Sequence, residues 1–152
     1  MLKHAVVVGA FSVFCAPSAI AEQAYDPSRN GKIDLQHAIV QSKIEYKPLI
    51  VVVGGDWCPS CLSLAKAIKD DAGFQALLTE KFVFLKINYS AKNKNKEATE
   101  LLPFFFGYPA VFVFDPSGKQ LKPKSIFSFE KDGNFDLKGF RLALLDVLNL
   151  RP

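Results

Sequence analysis

The sequence is poor in the residues that build metal sites and disulfide scaffolds. It contains 3 cysteines, 2 histidines and 1 methionine among 152 residues. A disulfide scaffold needs several cysteine pairs, and a structural zinc site needs about four Cys or His ligands. Copper carriage needs more soft sulphur ligands than Met1 supplies. We therefore expect no metal site and no bound cofactor.

The chain also has little excess of positive or negative charge and few long apolar runs. The formal net charge is only +4, and the densest basic run, Lys92 to Lys96, has the composition of a solvated loop. Basic residues do not alternate with aromatics along one face, so we expect no nucleic-acid partner. No coiled-coil repeat is present either, and we expect a monomer.

The N-terminus carries the one segment that looks like a targeting signal. Ala5 to Phe14 are apolar, Pro17 interrupts the run, and Ala19-Ile20-Ala21 matches the small-x-small pattern of a cleavage site. We predict that residues 1–21 are a signal peptide and that the protein is secreted, into the periplasm. An uncleaved anchor is the alternative, although the uncharged stretch is short for a membrane span.

Cleavage after Ala21 would remove Cys15 and leave Cys58 and Cys61 as the only thiols. Two residues separate them, so a bond between them would constrain little chain. Redox chemistry is the favoured interpretation, and an inert buried pair or half of a zinc site are the alternatives. Zinc is disfavoured because the remaining chain adds one histidine, His37.

Hydrophobic periodicity predicts an α/β fold. An apolar run, Leu49 to Val53, precedes the cysteines, and a helical pattern follows them, with Pro59 suited to its first turn. That order places Cys58 at a helix N-terminus, where the helix dipole favours the reactive thiolate. The other predicted helices are residues 35–43 (capped by Asp34), 72–78, 97–102 and 136–149, and the other predicted strands are 82–88, 110–114 and 120–127. We expect a central mixed sheet of about four strands flanked by helices.

Three segments together resemble the thioredoxin superfamily. They are the motif Asp56 to Cys61, the strand Phe82 to Asn88, and the stretch Gly107 to Asp115, which contains Tyr108-Pro109. The resemblance extends over about residues 47–150. The sequence is similar to small secreted thioredoxin-like proteins and to the periplasmic thioredoxin domain of membrane thiol-electron transporters. We accordingly divide the chain into the signal peptide, an N-terminal turn and helix (residues 22–46) and a thioredoxin-like domain (47–152).

The resemblance implies a thiol–disulfide oxidoreductase that acts on protein disulfides. Cys58 would attack the substrate and Cys61 would resolve the mixed disulfide. Tyr108-Pro109 would be a cis peptide that, with Trp57, binds substrate. The resemblance also implies reduction as the direction, with a membrane thiol-electron transporter as the electron source. A dithiol oxidase and a chaperone-like binding module are the alternatives, and a dedicated isomerase is disfavoured because the chain lacks room for a dimerisation domain.

The sequence departs from the superfamily pattern next to the motif. Val52 replaces the buried acid that assists proton transfer in the family. Lys86 matches the lysine that accompanies this acid, or it is a lysine whose amine reaches water at a strand end. Asp56 is expected to be exposed and to oppose a thiolate at Cys58. Gly54-Gly55 would leave the approach to the dithiol open.

Three consecutive phenylalanines, Phe104-Phe105-Phe106, precede Gly107. We expect them to pack in the core between a helix and a strand. The alternative is an exposed ring beside Tyr108, which would offer an apolar surface to an unfolded or partner polypeptide.

Overall fold

The structure is a computed structural model that describes residues 23–121, 130–131 and 134–149. The predicted signal peptide lies outside these residues, and so do positions 122–127 of the last predicted strand. The helices are α1 Gly31–Glu45, α2 Pro59–Asp70, α3 Ala72–Lys81, α4 Lys96–Thr99 and α5 Leu137–Asn149. The strands are β1 Leu49–Gly54, β2 Val83–Asn88, β3 Ala110–Phe114, β4 Gln120–Leu121, β5 Glu130–Lys131 and β6 Asn134–Phe135.

A mixed four-stranded sheet forms the centre of the fold, in the order β2-β1-β3-β4. Strand β1 pairs parallel with β2 and antiparallel with β3, and β3 pairs antiparallel with β4. Strands β5 and β6 pair with each other in a separate hairpin. The α/β fold class with a mixed sheet between helices is therefore confirmed.

Strand β1 is buried along its whole length because helices cover both faces of the sheet. Its side chains alternate between two apolar clusters. Ile50 and Val52 face the cluster built with α2, α3 and α5. Leu49, Val51 and Val53 face the cluster built with α1 and α4. This central strand carries the chain directly to Cys58, so the rigid core fixes the position of the motif.

Helix α1 begins four residues before the predicted start. Asn30, and not Asp34, is the N-cap: its side-chain oxygen accepts hydrogen bonds from the backbone N–H groups of Lys32 (3.1 Å) and Ile33 (3.2 Å). Asp34 instead forms a two-bond ion pair with Arg29, at 2.6 and 2.7 Å. The cap at Asn30 starts the helix at Gly31, and Asp34 is an acidic residue of its first turn, where the helix dipole favours a carboxylate.

Helix α4 is shorter than predicted, and helix α3 is longer. Helix α4 spans only Lys96–Thr99, where residues 97–102 were predicted, and α3 continues to Lys81. The predicted strand 110–114 is confirmed as β3. None of the helices within the described ranges has the length and apolar character needed to cross a bilayer.

Candidate active site

Cys58 and Cys61 form a disulfide at the point where β1 passes into α2, with Cα atoms 5.2 Å apart. Cys58 is the N-cap of α2, and Pro59 occupies the first turn. The Sγ of Cys58 accepts a hydrogen bond from the backbone N–H of Cys61 at 3.2 Å. The predicted position of Cys58 is thus confirmed, and the same N–H and helix dipole are available to a thiolate after reduction.

Both cysteines are buried, although unequally. Cys58 retains 4% of its accessible surface, whereas Cys61 retains none. An incoming sulphur atom can therefore reach Cys58 only through a narrow opening, and it cannot reach Cys61 directly. Cys58 is therefore the outer cysteine and the one that a substrate can reach first.

Trp57 forms one wall beside the disulfide. Its side chain is 55% exposed. Its Nε1–H donates a 2.6 Å hydrogen bond to the backbone oxygen of Tyr89, which lies just after β2. Its ring also meets the ring of Tyr108 edge to face, with centroids 5.3 Å apart. Trp57 is thus held at both its polar and its apolar edge while one face stays open to solvent.

Tyr108 joins the aromatic side chains around the motif, and its peptide bond to Pro109 is cis. Its ring stacks on Tyr89 at 5.1 Å and meets Phe105 edge to face at 5.8 Å. Burial, with a smaller contribution from Tyr89, raises the pKa of Tyr108 to about 12. The phenol therefore stays neutral at physiological pH. The structure brings the predicted residues Trp57 and Tyr108 into contact, and Pro109, which follows Tyr108, is buried.

The three phenylalanines before Gly107 divide into two groups. Phe105 packs between Tyr108 and Phe112, as the core prediction required. Phe104 and Phe106 are 91% and 79% exposed, so the core prediction is wrong for them. Their rings lie 6.4 Å apart and form an apolar patch next in sequence to the cis peptide.

The two glycines before the motif allow close packing and do not leave an open approach. A Cβ on Gly55 would lie 2.6 Å from both the Nε1 of Trp57 and the backbone oxygen of Tyr89. A Cβ on Gly54 would lie 2.8 Å from the Sγ of Cys61. The prediction of open space is wrong because neighbouring atoms already fill the volume that a side chain would need.

The two residues predicted to modulate the thiols both contact Tyr25. Asp56 is exposed, as expected, and its Oδ1 accepts a 3.1 Å hydrogen bond from the backbone N–H of Tyr25. Lys86 is exposed, and its ammonium lies 5.8 Å from the centre of the Tyr25 ring. Lys86 pairs in register with Val52, whose side chain is buried.

Tyr25 is the site residue that the sequence did not reveal. It lies in the segment before α1 and is buried in the same cluster as both cysteines. The signal available was an aromatic residue after Ala24 in an otherwise polar stretch, Glu22 to Asn30. That signal is weak because isolated aromatics are common on protein surfaces.

Metal-ligating side chains do not cluster in the described part of the chain: no group of three or more His, Cys, Asp or Glu residues is placed to hold an ion. His37 lies exposed on α1.

Comparison with known proteins identifies the family of this chain. Residues 30–116, more than half of the chain, match the model of a family described as thioredoxin-like. The chain is also 37% identical over 82 residues to Anterior gradient protein 2 of Xenopus tropicalis. That alignment covers 54% of this chain and 46% of the relative, so the chain spans about half the length of the curated relative that it matches.

Solved structures show the same fold. A disulphide isomerase from Xylella fastidiosa Temecula1 superimposes with a TM-score of 0.61 at 27% identity, covering 67% of this chain and 79% of the other. A DsbH oxidoreductase gives 0.54 at 21% identity, covering 95% and 96%. A thioredoxin from Thermus thermophilus gives 0.51 at 14% identity, covering 75% and 84%. With its mixed sheet and its disulfide at the start of α2, this chain belongs to the thioredoxin-like family and has the fold and the dithiol of a thiol–disulfide oxidoreductase.

Proposed function

We propose that this protein is a periplasmic thiol–disulfide oxidoreductase that reduces disulfides in polypeptide substrates. The observation that carries the proposal is the position of Cys58 as the N-cap of α2, bonded to the fully buried Cys61. This arrangement provides one attacking thiol and one resolving thiol, which is what exchange through a mixed disulfide requires.

The reaction begins from the reduced dithiol. The Cys58 thiolate attacks one sulphur of the substrate disulfide, and the other substrate sulphur leaves as a thiolate that takes up a proton. Cys61 then loses its proton and attacks the Sγ of Cys58, which breaks the bond to the substrate and releases its second sulphur. The substrate gains two electrons, and the enzyme returns to the Cys58–Cys61 disulfide seen here.

The surface around Cys58 suits a polypeptide. Trp57 is more than half exposed beside Tyr108, and the exposed rings of Phe104 and Phe106 come shortly before Tyr108 in the chain. Exposed aromatic patches of this kind are typical of protein-binding surfaces. In the proposal, Trp57 and Tyr108 contact the substrate chain beside the cis peptide at Pro109, and Asp56 and Lys86 adjust the charge around the thiols.

Location and electron supply complete the proposal. The N-terminal signal pattern supports export, with cleavage after Ala21, and the protein would act as a monomer. Each turnover leaves the disulfide form, so a donor of two electrons is required. We assign that part to a membrane thiol-electron transporter. A reduction potential of about −270 mV would agree with this direction, and one of about −120 mV would indicate a dithiol oxidase.

Reduction of insulin by dithiothreitol tests the chemistry. We expect the wild-type protein to accelerate it, Cys58→Ser to be inactive, and Cys61→Ser to accumulate a mixed disulfide with insulin. The Cys58→Ser variant should form no such adduct, because Cys61 is inaccessible. Equal inactivity of the wild type and Cys58→Ser under several reductants would remove the enzyme proposal and favour a binding module.

The polypeptide preference has its own test. We expect Phe104→Ser combined with Phe106→Ser to raise KM for insulin several-fold while the reduction of a small aromatic disulfide is unchanged. Ile44→Ser is the matched control, since Ile44 is also 79% exposed but lies on α1, near the opposite end of β1. An equal effect of the control and the double variant would show that the patch does not bind substrate.

A further inference from the structure

Tyr25 places a phenol hydroxyl beside the resolving cysteine. The side chain is 98% buried, since only 2% of its surface is exposed. Its hydroxyl lies 2.9 Å from the point that a Cβ of Gly54 would occupy, and the Sγ of Cys61 lies 2.8 Å from the same point. The hydroxyl and the sulphur therefore both pack against the same point beside Gly54, inside the volume that a side chain there would need.

Contacts on both sides hold the segment that carries Tyr25. The Tyr25 N–H donates to Asp56, the residue two before Cys58. Further along, the side chain of Asn93 donates hydrogen bonds to the backbone oxygens of Pro27 (3.0 Å) and Arg29 (3.1 Å). These contacts and the buried position of the ring fix the phenol in the folded core.

The surroundings keep this phenol protonated. Burial, and then the charge of Asp56, raises the pKa of Tyr25 above its ordinary value. A tyrosine in that condition is a hydrogen-bond donor throughout the pH range in which thiols ionise. Among the described residues, the ammonium of Lys86 also lies near the ring, and Cys58 is the titratable residue bonded to Cys61.

Cys61 needs a hydrogen-bond donor of this kind in order to react as a thiolate. A buried Cys61 must become a thiolate to attack the mixed disulfide, and burial without a hydrogen-bond partner opposes that charge. The residues that β1 directs into this cluster, Ile50 and Val52, have hydrocarbon side chains that neither donate nor accept a proton.

We propose that the Tyr25 hydroxyl donates a hydrogen bond to the Cys61 thiolate and thereby promotes the resolving step. This rests on the proposed function. In the step, Cys61 releases its proton to water, its sulphur bonds to the Sγ of Cys58, and the electron pair of the broken Cys58–substrate bond leaves on the substrate sulphur. Tyr25 keeps its own proton. Its part is to lower the pKa of Cys61 and to orient the sulphur.

The ionisation of Cys61 provides the test. In the Cys58→Ser protein, the thiolate absorbance of Cys61 at 240 nm is followed against pH, with and without Tyr25→Phe. Loss of a hydrogen bond to a charged group should raise the pKa of Cys61 by about one unit or more. Tyr46→Phe, on an exposed tyrosine after α1, should leave the titration curve unchanged.

An unchanged Cys61 titration in a folded Tyr25→Phe protein would overturn the proposal. If that variant does not fold, the four tyrosines of the Cys58→Ser protein are labelled with 13C at Cζ and followed by NMR. The Tyr25 signal, assigned by elimination with the single Phe variants of the other three, should shift at the pH where Cys61 ionises. A Tyr25 signal that does not respond there would overturn the proposal equally.

These measurements need no protein substrate and no electron donor. A protein that fails to reduce insulin but shows the Tyr25-dependent titration would refute the proposed function and retain this inference. The reverse result, active turnover with an unaffected Cys61, would retain the function and refute the role of Tyr25.

Discussion

Gly55 is the position in the site where a single added methyl group has the largest expected effect. A Cβ there would meet the Trp57 ring nitrogen and the backbone oxygen of Tyr89, the two groups that share a hydrogen bond. The ring can rotate away, whereas a backbone oxygen adjoining β2 cannot. We expect Gly55→Ala to lower the free energy of unfolding by about 1–3 kcal/mol and to release Trp57 toward water.

Urea denaturation and tryptophan fluorescence measure both effects, since Trp57 is the only tryptophan in the chain. The control is Gly73→Ala in α3, where the added Cβ would meet its nearest neighbour, Asp71, at an ordinary 3.4 Å. This change should leave stability unchanged or raise it by up to about 1 kcal/mol, because alanine is the better helix former. A Gly55→Ala protein as stable as wild type, with unshifted emission, would contradict the packing account.

At the residue scale, the sequence predicted those site residues whose positions depend on local spacing. Cys58 and Cys61 belong to one helical turn, and Trp57 adjoins them, so a motif is sufficient to place all three. Tyr25 depends on a contact with a residue 31 positions away, Asp56. No local pattern encodes that contact, because it exists only once the segment before α1 has packed on the sheet.

At the scale of elements, Asp71 joins three helices. It ends α2, caps α3 through a 2.7 Å hydrogen bond from the N–H of Phe74, and accepts two hydrogen bonds of 2.9 Å from Arg141 on α5. We expect Asp71→Ala to lower the free energy of unfolding by roughly 1–2 kcal/mol through the lost cap. Asp71→Asn keeps the cap and should cost less than about 1 kcal/mol, because the ion pair is more than one-third exposed and screened by solvent.

Chemical denaturation of the two variants separates the cap from the ion pair. Added salt should narrow the small difference between wild type and Asp71→Asn, since salt screens an exposed pair. If the Asn variant were as unstable as the Ala variant, the contact with Arg141, and not the cap, would hold α3 in place.

Helix starts show why element boundaries were predicted less well than element identity. Asn30 and Asp34 are both residues that cap helices, and each precedes a helical pattern. The choice between them depends on the ion pair between Arg29 and Asp34 and on the close approach of Gly31 to Ile87, where a Cβ would lie at 2.9 Å. The second of these contacts is tertiary, so the sequence pattern alone could not decide between the two caps.

For the whole molecule, the alternation of helices and strands was sufficient to predict a mixed sheet between helices. The sequence did not predict the order of the strands. It also did not predict the two apolar clusters into which alternate residues of β1 point. Direction of electron flow belongs to this scale as well. It depends on how folding as a whole stabilises the disulfide relative to the dithiol, and not on one side chain.

Stability in the two redox states therefore tests the proposed direction. In a thermodynamic cycle, a fold that stabilises the disulfide more than the dithiol has a lower reduction potential than its unfolded chain, and each 1.4 kcal/mol corresponds to about 30 mV. A reductant should consequently unfold at higher urea when oxidised than when reduced. The short link between Cys58 and Cys61 adds little chain constraint, so the difference in stability reports mainly on the folded site.

The control is the Cys58→Ser, Cys61→Ser double variant, which should unfold at one urea midpoint with or without reductant. A reduced wild-type protein more stable than the oxidised form would make this protein a dithiol oxidase and would remove the need for an electron-supplying transporter.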